Sequence, residues 1–208
     1  MKKSLFMAPF AGLVMAACAS DGTSAGAASS EEADGSKAVI ENIMTRTSIR
    51  KFKADREISK DTLETLLKAG MAAPTAVNKQ PWAFVTITDR GMLDSLQTVS
   101  PNYRLETAAA AIVVCGDLSK ALEGASQEYW VQDCSAATEN ILLAAHGLGL
   151  GAVWCGVYPT ADRVKAVSAT LGLPENIVPL DVICLGYPDE DPMPKDKWEP
   201  ANVHWNKW

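Results

Sequence analysis

One helical segment constrains the fold of this chain more than any other stretch. It spans residues 128 to 151 and reads EYWVQDCSAATENILLAAHGLGLG. Its Ala, Leu and Ile residues lie around most of the helix circumference instead of along one stripe, and a glycine cluster closes it. Because a helix that is apolar on most sides must be buried, this segment predicts either a central helix of a core or a helix packed against a second subunit.

Shorter segments before and after it alternate between helical and strand periodicity. Ser59 is a plausible N-cap for one of these helices, and Pro74 stops the same helix. The predicted helices are residues 37–45, 60–73, 91–100 and 160–172, and the predicted strands are residues 83–89, 108–117, 152–159 and 177–187. This alternation by itself allows a doubly wound α/β fold.

Composition limits the class of function. The chain has 208 residues, 48% of them hydrophobic, which is enough for one substantial core. Its formal net charge of -6 argues against a broad nucleic-acid surface, because phosphate backbones require a basic field over much of one face. Any basic cluster must therefore be local, and no nucleic-acid partner is expected.

The first residues have the order of an export signal, with Lys2 and Lys3, then an apolar run, then small residues ending at Cys18. The apolar run is too short for a membrane-spanning helix. The ending MAAC resembles the lipobox of bacterial lipoproteins, which implies removal of residues 1–17 and attachment of lipid to the Cys18 sulfur. An ordinary signal peptide cut elsewhere is the alternative. The expected location is the bacterial cell envelope, on the periplasmic or surface face, with the membrane reached through the lipid.

The segment after Cys18 consists of small, polar and acidic residues without an apolar period. Such a composition cannot bury enough surface to offset the entropy of ordering. Residues 18–36 are therefore predicted to be a lipid-anchored flexible tether, and residues 37–208 the folded domain.

The four remaining cysteines are widely spaced, so neither a zinc site nor a redox pair is indicated. Three of them lie in apolar runs and are interpreted as small core residues. An oxidising compartment could pair two of them, which the sequence leaves open. The four are Cys115, Cys134, Cys155 and Cys184.

A local basic cluster follows the first predicted helix, in the stretch TRTSIRKF from Thr45 to Phe52. In an extended segment Arg46, Ser48 and Arg50 point the same way, since alternate residues face one side. Two guanidinium groups with a hydroxyl between them suit a phosphate. A solvated basic turn is the alternative reading.

This stretch, taken with three later ones, resembles the nitroreductase family of FMN-dependent oxidoreductases. The later ones are AAPTAVNKQPWAFVTI, GLGLGAVWCGVYP and CLGYPDEDPMPKDKW, so the resemblance covers about residue 37 to the C-terminus. It implies an α+β fold with a central, mostly antiparallel sheet flanked by helices, and a homodimer that holds FMN between its subunits. The long apolar helix and the tail with its three tryptophans would then be buried in the dimer.

The resemblance also implies which residues hold the cofactor, and no metal is expected. Arg46 and Ser48 face the phosphate, Thr47 between them also belongs to the cofactor-binding set, and Arg50 reaches the N1 and C2 carbonyl region of the ring. The backbone N–H groups of Cys155 and Gly156 lie by flavin N5 and O4. The remaining implied cofactor-binding residues are Pro74, Thr75, Ala76 and Asn78 in the turn, and Lys195 and Lys197 at the phosphate.

The implied reaction is ping-pong, from NAD(P)H through FMN to a small acceptor such as a nitroaromatic or a quinone. Flavin performs the chemistry, so no catalytic side chain is assigned. In the sequence no histidine or basic residue neighbours Cys155, so the sequence does not indicate a catalytic thiol. Two alternatives stay open: an envelope-tethered electron carrier that is not an enzyme, and a member that kept the fold but lost the flavin.

Overall fold

The structure is a computed structural model that describes the backbone of residues 24–208 and the side chains of residues 35–208. The chain divides into two units, Met1–Val39 and Ile40–Trp208. Of the first, only the N-terminal part of one helix is described, so the architecture below is that of the second. The predicted signal peptide and Cys18 lie outside the described residues.

Five α-helices and four strands form the described part, and the elements predicted from residue 37 onward are confirmed. The Ser59 side chain caps the second helix by accepting a hydrogen bond from the backbone N–H of Thr62. The helices are α1 Ser24–Thr45, α2 Lys60–Met71, α3 Arg90–Gln97, α4 Tyr129–Gly147 and α5 Ala161–Leu171, and the strands are β1 Trp82–Ile87, β2 Ala110–Asp117, β3 Gly151–Gly156 and β4 Ile177–Gly186.

Helix α1 begins earlier than predicted. The sequence reading placed a flexible tether before residue 37, whereas the backbone is helical from Ser24. Residues 24–36 are rich in Ala and contain two Glu residues, both strong helix formers, so the lack of an apolar period did not exclude a helix. The predicted end at Thr45 is confirmed.

The four strands form one sheet in the order β1-β2-β4-β3, and every neighbouring pair is antiparallel. The α+β fold is therefore confirmed, and the doubly wound alternative is wrong. Strand β4 is internal and contains Pro179, which the sheet accommodates at an irregularity where the register of β2 shifts between Val114 and Cys115. Strand β3 lies at the edge, next to β4 only.

Helices cover both faces of the sheet. Helices α2 and α4 pack on one face, and α3 and α5 pack on the other with residues Ile49 and Phe52. The apolar side chains of α4 are buried in the chain's own core. The prediction of a central core helix is therefore confirmed within one subunit. Among the described residues, no helix combines the length and the apolar character needed to cross a membrane.

Candidate functional site

Two apolar side chains fix the basic segment after α1 on the sheet. Ile49 and Phe52 are buried, with Phe52 only 2% exposed. They pack over Gly151 and Gly186, where an added Cβ would come within 2.7 Å of Ile49 or Phe52 respectively. The two glycines therefore admit this close packing, and the residues between and before the two anchors face outward.

The start of the C-terminal tail is hydrogen-bonded to the same segment. The Asp189 N–H donates to the Lys51 carbonyl at 3.0 Å, and the Lys53 N–H donates to the Tyr187 carbonyl at 2.9 Å. The carboxylate of Glu190 accepts from the backbone N–H groups of Arg50 and Lys51. These bonds bring the tail lysines back to the end of α1.

The result is a cavity of about 680 Å³, here called the anion cavity. It joins the predicted phosphate residues of the first basic segment to the two predicted tail lysines, although the two groups lie at opposite ends of the chain. Its lining residues are Ile43, Met44, Arg46, Thr47, Ser48, Arg50, Glu139, Pro192, Met193, Lys195, Asp196, Lys197 and Trp198.

One edge of the Arg46 guanidinium is already paired. Its Nε lies 3.2 Å from Oε1 of Glu139 on α4, and the Arg46 side chain is 18% exposed. A guanidinium carries five N–H donors, so this ion pair orients Arg46 and leaves its other donors for a ligand. Glu139 was not singled out from the sequence.

A second cavity of about 280 Å³, here called the strand cavity, lies at the end of β3. Arg50 lines both cavities and so links them. The predicted ring residues Arg50, Cys155 and Gly156 are thus brought together. The lining residues are Arg50, Ser100, Asn102, Tyr103, Arg104, Val153, Trp154, Cys155, Gly156 and Arg163.

The backbone at Gly156 is open to a ligand. A Cβ added there would meet no atom within 4 Å, and Arg163 donates to the Gly156 carbonyl at 3.2 Å. Its partner across the sheet is Asp181, which is fully buried. Burial raises the pKa of the Asp181 carboxyl well above its usual value, although a hydrogen bond from Thr138 at 2.8 Å opposes the shift.

The side chain of Cys155 has basic neighbours that the sequence did not reveal. The hydrogen bond from Cys184 is the largest influence that lowers the pKa of Cys155; burial raises it, and Arg104 and Arg50 lower it further. Arg104 lies in the loop before β2, which folds over the end of β3. Its contribution depends on that loop, so no local pattern could have indicated it.

The predicted turn residues Pro74, Thr75, Ala76 and Asn78 are not brought into either cavity: within the described residues, none of the four lines one. The turn is tied to α4 instead, because the Ala76 N–H donates to Asp133 at 2.8 Å. Val77 adopts a φ of 50°, which is unfavourable for a β-branched residue and marks a strained turn.

Further residues at the strand cavity were missed by sequence reasoning. Tyr103 is 1% exposed, and its hydroxyl has no hydrogen-bond partner in the described part of the chain. Burial raises the pKa of Tyr103 to about 12, and Cys155 is the next cause. A tyrosine followed by an arginine in a loop carries no signal of a site, because both are common on surfaces. Groups of three or more residues suited to a metal ion are absent from the described part.

Together these features define a class of protein: an antiparallel α+β domain with a cationic cavity that opens onto the backbone of an edge strand. Comparison with known proteins agrees. The family model described as "Nitroreductase family" matches residues 43–99 and 94–187. The chain belongs to this family.

Individual relatives support the assignment. A protein of Archaeoglobus fulgidus with the provisional name NADH dehydrogenase/NAD(P)H nitroreductase is 47% identical over 173 residues, covering 81% of this chain and 98% of its own. The solved NADPH:FMN oxidoreductase of Vibrio harveyi, complexed with NAD+, is 31% identical with a TM-score of 0.74, covering 82% of this chain and 78% of its own. An FMN-dependent nitroreductase of Clostridium difficile is 30% identical with a TM-score of 0.74, covering 81% and 99%.

Proposed function

We propose that this protein is an FMN-dependent oxidoreductase that passes electrons from NAD(P)H to a small organic acceptor. One observation carries the proposal: the basic groups of two distant segments line one cavity, and Arg50 joins that cavity to the free end of β3. Such a pair of cavities suits a ligand that has a phosphate at one end and a polar ring edge at the other.

The charges of the anion cavity fit a phosphate dianion. The cavity is lined by four basic and two acidic side chains, so its lining is net positive. The basic residues are Arg46, Arg50, Lys195 and Lys197, and the acidic residues are Glu139 and Asp196. Ser48 adds a hydroxyl donor between the two arginines. The cavity therefore attracts an anion even though the whole chain is acidic.

The strand cavity fits the ring. Strand β3 is an edge strand, so backbone groups on its free side are not consumed by the sheet. Gly156 lets a planar group approach the backbone, and Arg50 supplies positive charge to a ring edge that becomes more electron-rich on reduction. When bound, FMN supplies the hydride transfer, and the protein supplies position and charge.

The active form in this proposal is a homodimer. The turn from Pro74 to Asn78 is absent from the cavities of its own chain, and a second copy would supply it. Large apolar side chains next to the anion cavity are exposed, including Met44 at 70% and Trp198 at 71%, which favours burial against a partner. Sedimentation of the purified protein tests this, and a monomer that binds FMN and turns over would exclude it.

The names of the relatives favour NAD(P)H as donor, and nitroaromatics or flavins as acceptors. A quinone acceptor rests on the family resemblance of the sequence alone. An electron carrier that binds flavin without turnover is the second candidate. It rests on the predicted envelope location, since nicotinamide dinucleotides are scarce outside the cytoplasm.

The deciding experiment is the absorption spectrum of the purified protein, followed by steady-state turnover. Flavin absorption bands and oxidation of NADH or NADPH with a nitroaromatic or a quinone are expected. Bound flavin without turnover would favour the carrier. A colourless protein that cannot be reconstituted with FMN would overturn both.

We also propose that the protein is anchored to the cell envelope by lipid on Cys18. The proposal rests on the order of basic, apolar and small residues before that cysteine. Mass spectrometry of the mature N-terminus should find a lipidated Cys18, and Cys18→Ala should move the protein out of the membrane fraction. Cys134→Ala, a change of the same kind outside the signal, should leave it there.

A further inference from the structure

The thiol of Cys155 lines the strand cavity, and the buried thiol of Cys184 lies directly beneath it. The proposed cofactor site makes no use of either thiol. The residues belong to the neighbouring strands β3 and β4, and their sulfur atoms are 3.8 Å apart. Both side chains lie in the core on the same face of the sheet. In the sheet register Cys155 lies opposite Val182 and Cys184 lies opposite Val153, so the two cysteines are diagonal neighbours. A disulfide requires about 2.05 Å between the sulfurs, so closure needs an approach of roughly 2 Å together with a local shift of the two strands.

Cys155 can be reached from outside, whereas Cys184 cannot. Cys155 lines the strand cavity and is 8% exposed, while the other three described cysteines have no exposed surface. The cavity of about 280 Å³ admits a small molecule. Its size favours a hydroperoxide over a bulky disulfide as the oxidant that reaches the sulfur.

The charges around Cys155 favour its thiolate. Its sulfur lies 3.8 Å from the Cys184 sulfur and 3.7 Å from the Asn102 carbonyl oxygen, and Arg104 and Arg50 line the same cavity. Cys155 also influences Tyr103 and Asp181. The hydrogen bond from Cys184 and the two arginines lower the pKa of Cys155 against the effect of burial. In contrast, burial raises the pKa of Cys115 to about 12 and also raises that of Cys134. The hydrogen bond to Cys155, followed by burial, raises the pKa of Cys184.

We propose that Cys155 and Cys184 are a peroxide-reactive thiol pair, in which Cys155 meets the oxidant and Cys184 closes the disulfide. A hydroperoxide is the substrate class. The thiol pair shares the strand cavity with the proposed flavin ring, but its chemistry is different, because the flavin reaction uses neither thiol.

The two steps balance in atoms and electrons. The Cys155 thiolate attacks one peroxide oxygen, the O–O bond breaks, and the sulfur gives up two electrons to become a sulfenic acid. The departing hydroxide takes up a proton and leaves as water. The Cys184 thiol then attacks the sulfenic sulfur, the S–S bond forms as the S–O bond breaks, and a second water leaves. An external dithiol would return the pair to its reduced state.

Thiol mapping tests the proposal on the purified full chain. The protein is treated with a small excess of hydrogen peroxide, the remaining thiols are alkylated, and the peptides are identified by mass spectrometry. The expected product is a disulfide between Cys155 and Cys184, with Cys115 and Cys134 still reduced. Oxidation of Cys115 or Cys134 at the same rate, or intact thiols at both proposed residues, would overturn it.

Cysteine variants separate the two roles. Cys184→Ser should give no disulfide and a sulfenic acid at residue 155 that dimedone traps. Cys155→Ser should slow oxidation of Cys184 by about tenfold or more, because the remaining thiol has no exposed surface and burial still raises its pKa after the hydrogen bond to Cys155 is lost. Cys134→Ser is the matched control and should leave the disulfide unchanged. An unchanged oxidation rate of Cys184 in Cys155→Ser would contradict the order of the steps.

Arg104 acts in this proposal as a positioning residue. Arg104→Gln should slow peroxide oxidation of Cys155 and shift the pH profile of its alkylation to higher pH, since a positive charge near the thiolate is lost. Arg163 lines the same cavity but is not among the causes that lower the pKa of Cys155, so Arg163→Gln is the matched control. Equal pH profiles in the two variants would exclude the assigned role of Arg104. All of these readouts follow thiols, so their outcome is separate from that of the flavin proposal.

Discussion

The anion cavity and the strand cavity share Arg50 but are built in different ways. The anion cavity is made of side chains on an irregular segment and on the tail, and both of its tail lysines are exposed. The strand cavity is made at the end of a strand, above buried residues such as Tyr103 and Cys155. The anion cavity therefore presents charge on adaptable side chains, whereas the strand cavity presents a fixed backbone.

The difference predicts how each region responds to change. Binding that rests on exposed charges weakens with salt, because counterions screen it. Binding that rests on backbone shape is insensitive to salt but sensitive to a single added methyl group. The following predictions test this contrast.

The largest effect is expected at Arg46. Arg46→Ala should weaken FMN binding by roughly 10- to 100-fold, because a charge-assisted hydrogen bond to phosphate is lost. Fluorescence titration of FMN measures it. Lys60→Ala is the matched charge loss, at an exposed lysine whose Nζ lies 3.6 Å from Oε1 of Glu64. Equal affinity in the two variants would remove the phosphate assignment.

Gly156→Ala tests the strand cavity. The expected loss of FMN affinity is roughly tenfold, or about 1.4 kcal/mol, because a methyl group would stand where the ring approaches. The melting temperature should stay the same, since the new Cβ meets no atom within 4 Å. Gly172→Ala is the control: with a φ of 62° it should lower the melting temperature and leave FMN affinity unchanged. Unchanged affinity in Gly156→Ala would place the ring elsewhere.

Asp181 is the buried neighbour of Gly156 on β4, and it tests whether a buried carboxyl beside the strand cavity lowers the stability of the fold. The folded-state pKa of its carboxyl lies well above the unfolded value of about 3.9, so stability falls as the pH rises from there toward the folded pKa. Asp181→Asn removes this cost and should raise the melting temperature by a few degrees at pH 7, with little gain near pH 4. Thermal unfolding at both pH values measures it.

Asp117 is the control with the opposite sign. Although burial raises its pKa, hydrogen bonds from Ser119, Lys120 and Asn176 bring that pKa down to about 2. Its stabilisation is present above the unfolded pKa and is lost as the pH falls toward about 2. Asp117→Asn should therefore lower the melting temperature at pH 7. A change of the same sign in both variants would contradict the two assignments.

The smallest effect is expected at the tail. Lys195→Gln or Lys197→Gln should weaken FMN binding by about two- to fivefold at low salt, because an exposed charge contributes little. The difference from wild type should shrink further as salt is added. Lys207→Gln, an exposed tail lysine outside the anion cavity, serves as the reference. A loss of FMN affinity equal to that of Arg46→Ala would contradict the distinction between the largely buried Arg46 and the exposed tail lysines.

Much of the fold could be predicted from the sequence, because helix and strand periodicity are local properties. The Ser59 cap and the end of α1 at Thr45 were predicted from neighbouring residues alone. The predicted start of α1 was wrong, because residues with high helix propensity formed a helix there although they carry no apolar stripe. The antiparallel character of the sheet was predicted only from the family resemblance, and the strand order was not predicted, because periodicity does not specify which strands pair.

The candidate site divides in the same way. Arg46, Ser48 and Arg50 could be named because they occur together in one stretch, and the structure places them in one cavity with the tail lysines. The turn at Asn78 was also named, yet it lies outside both cavities of its own chain. Whether these residues hold FMN stays a prediction.

The sequence by itself determined the kinds of elements, the class of residues available for a phosphate and the apolar character of α4. Only the tertiary structure decided that Arg104 and Cys155 line the same cavity and that the sulfur of Cys155 lies 3.8 Å from that of Cys184. The physical reason is that a contact between β3, β4 and a distant loop depends on sheet register and on how that loop packs. Neither the sheet register nor the packing of the loop can be predicted from the spacing of residues along the chain.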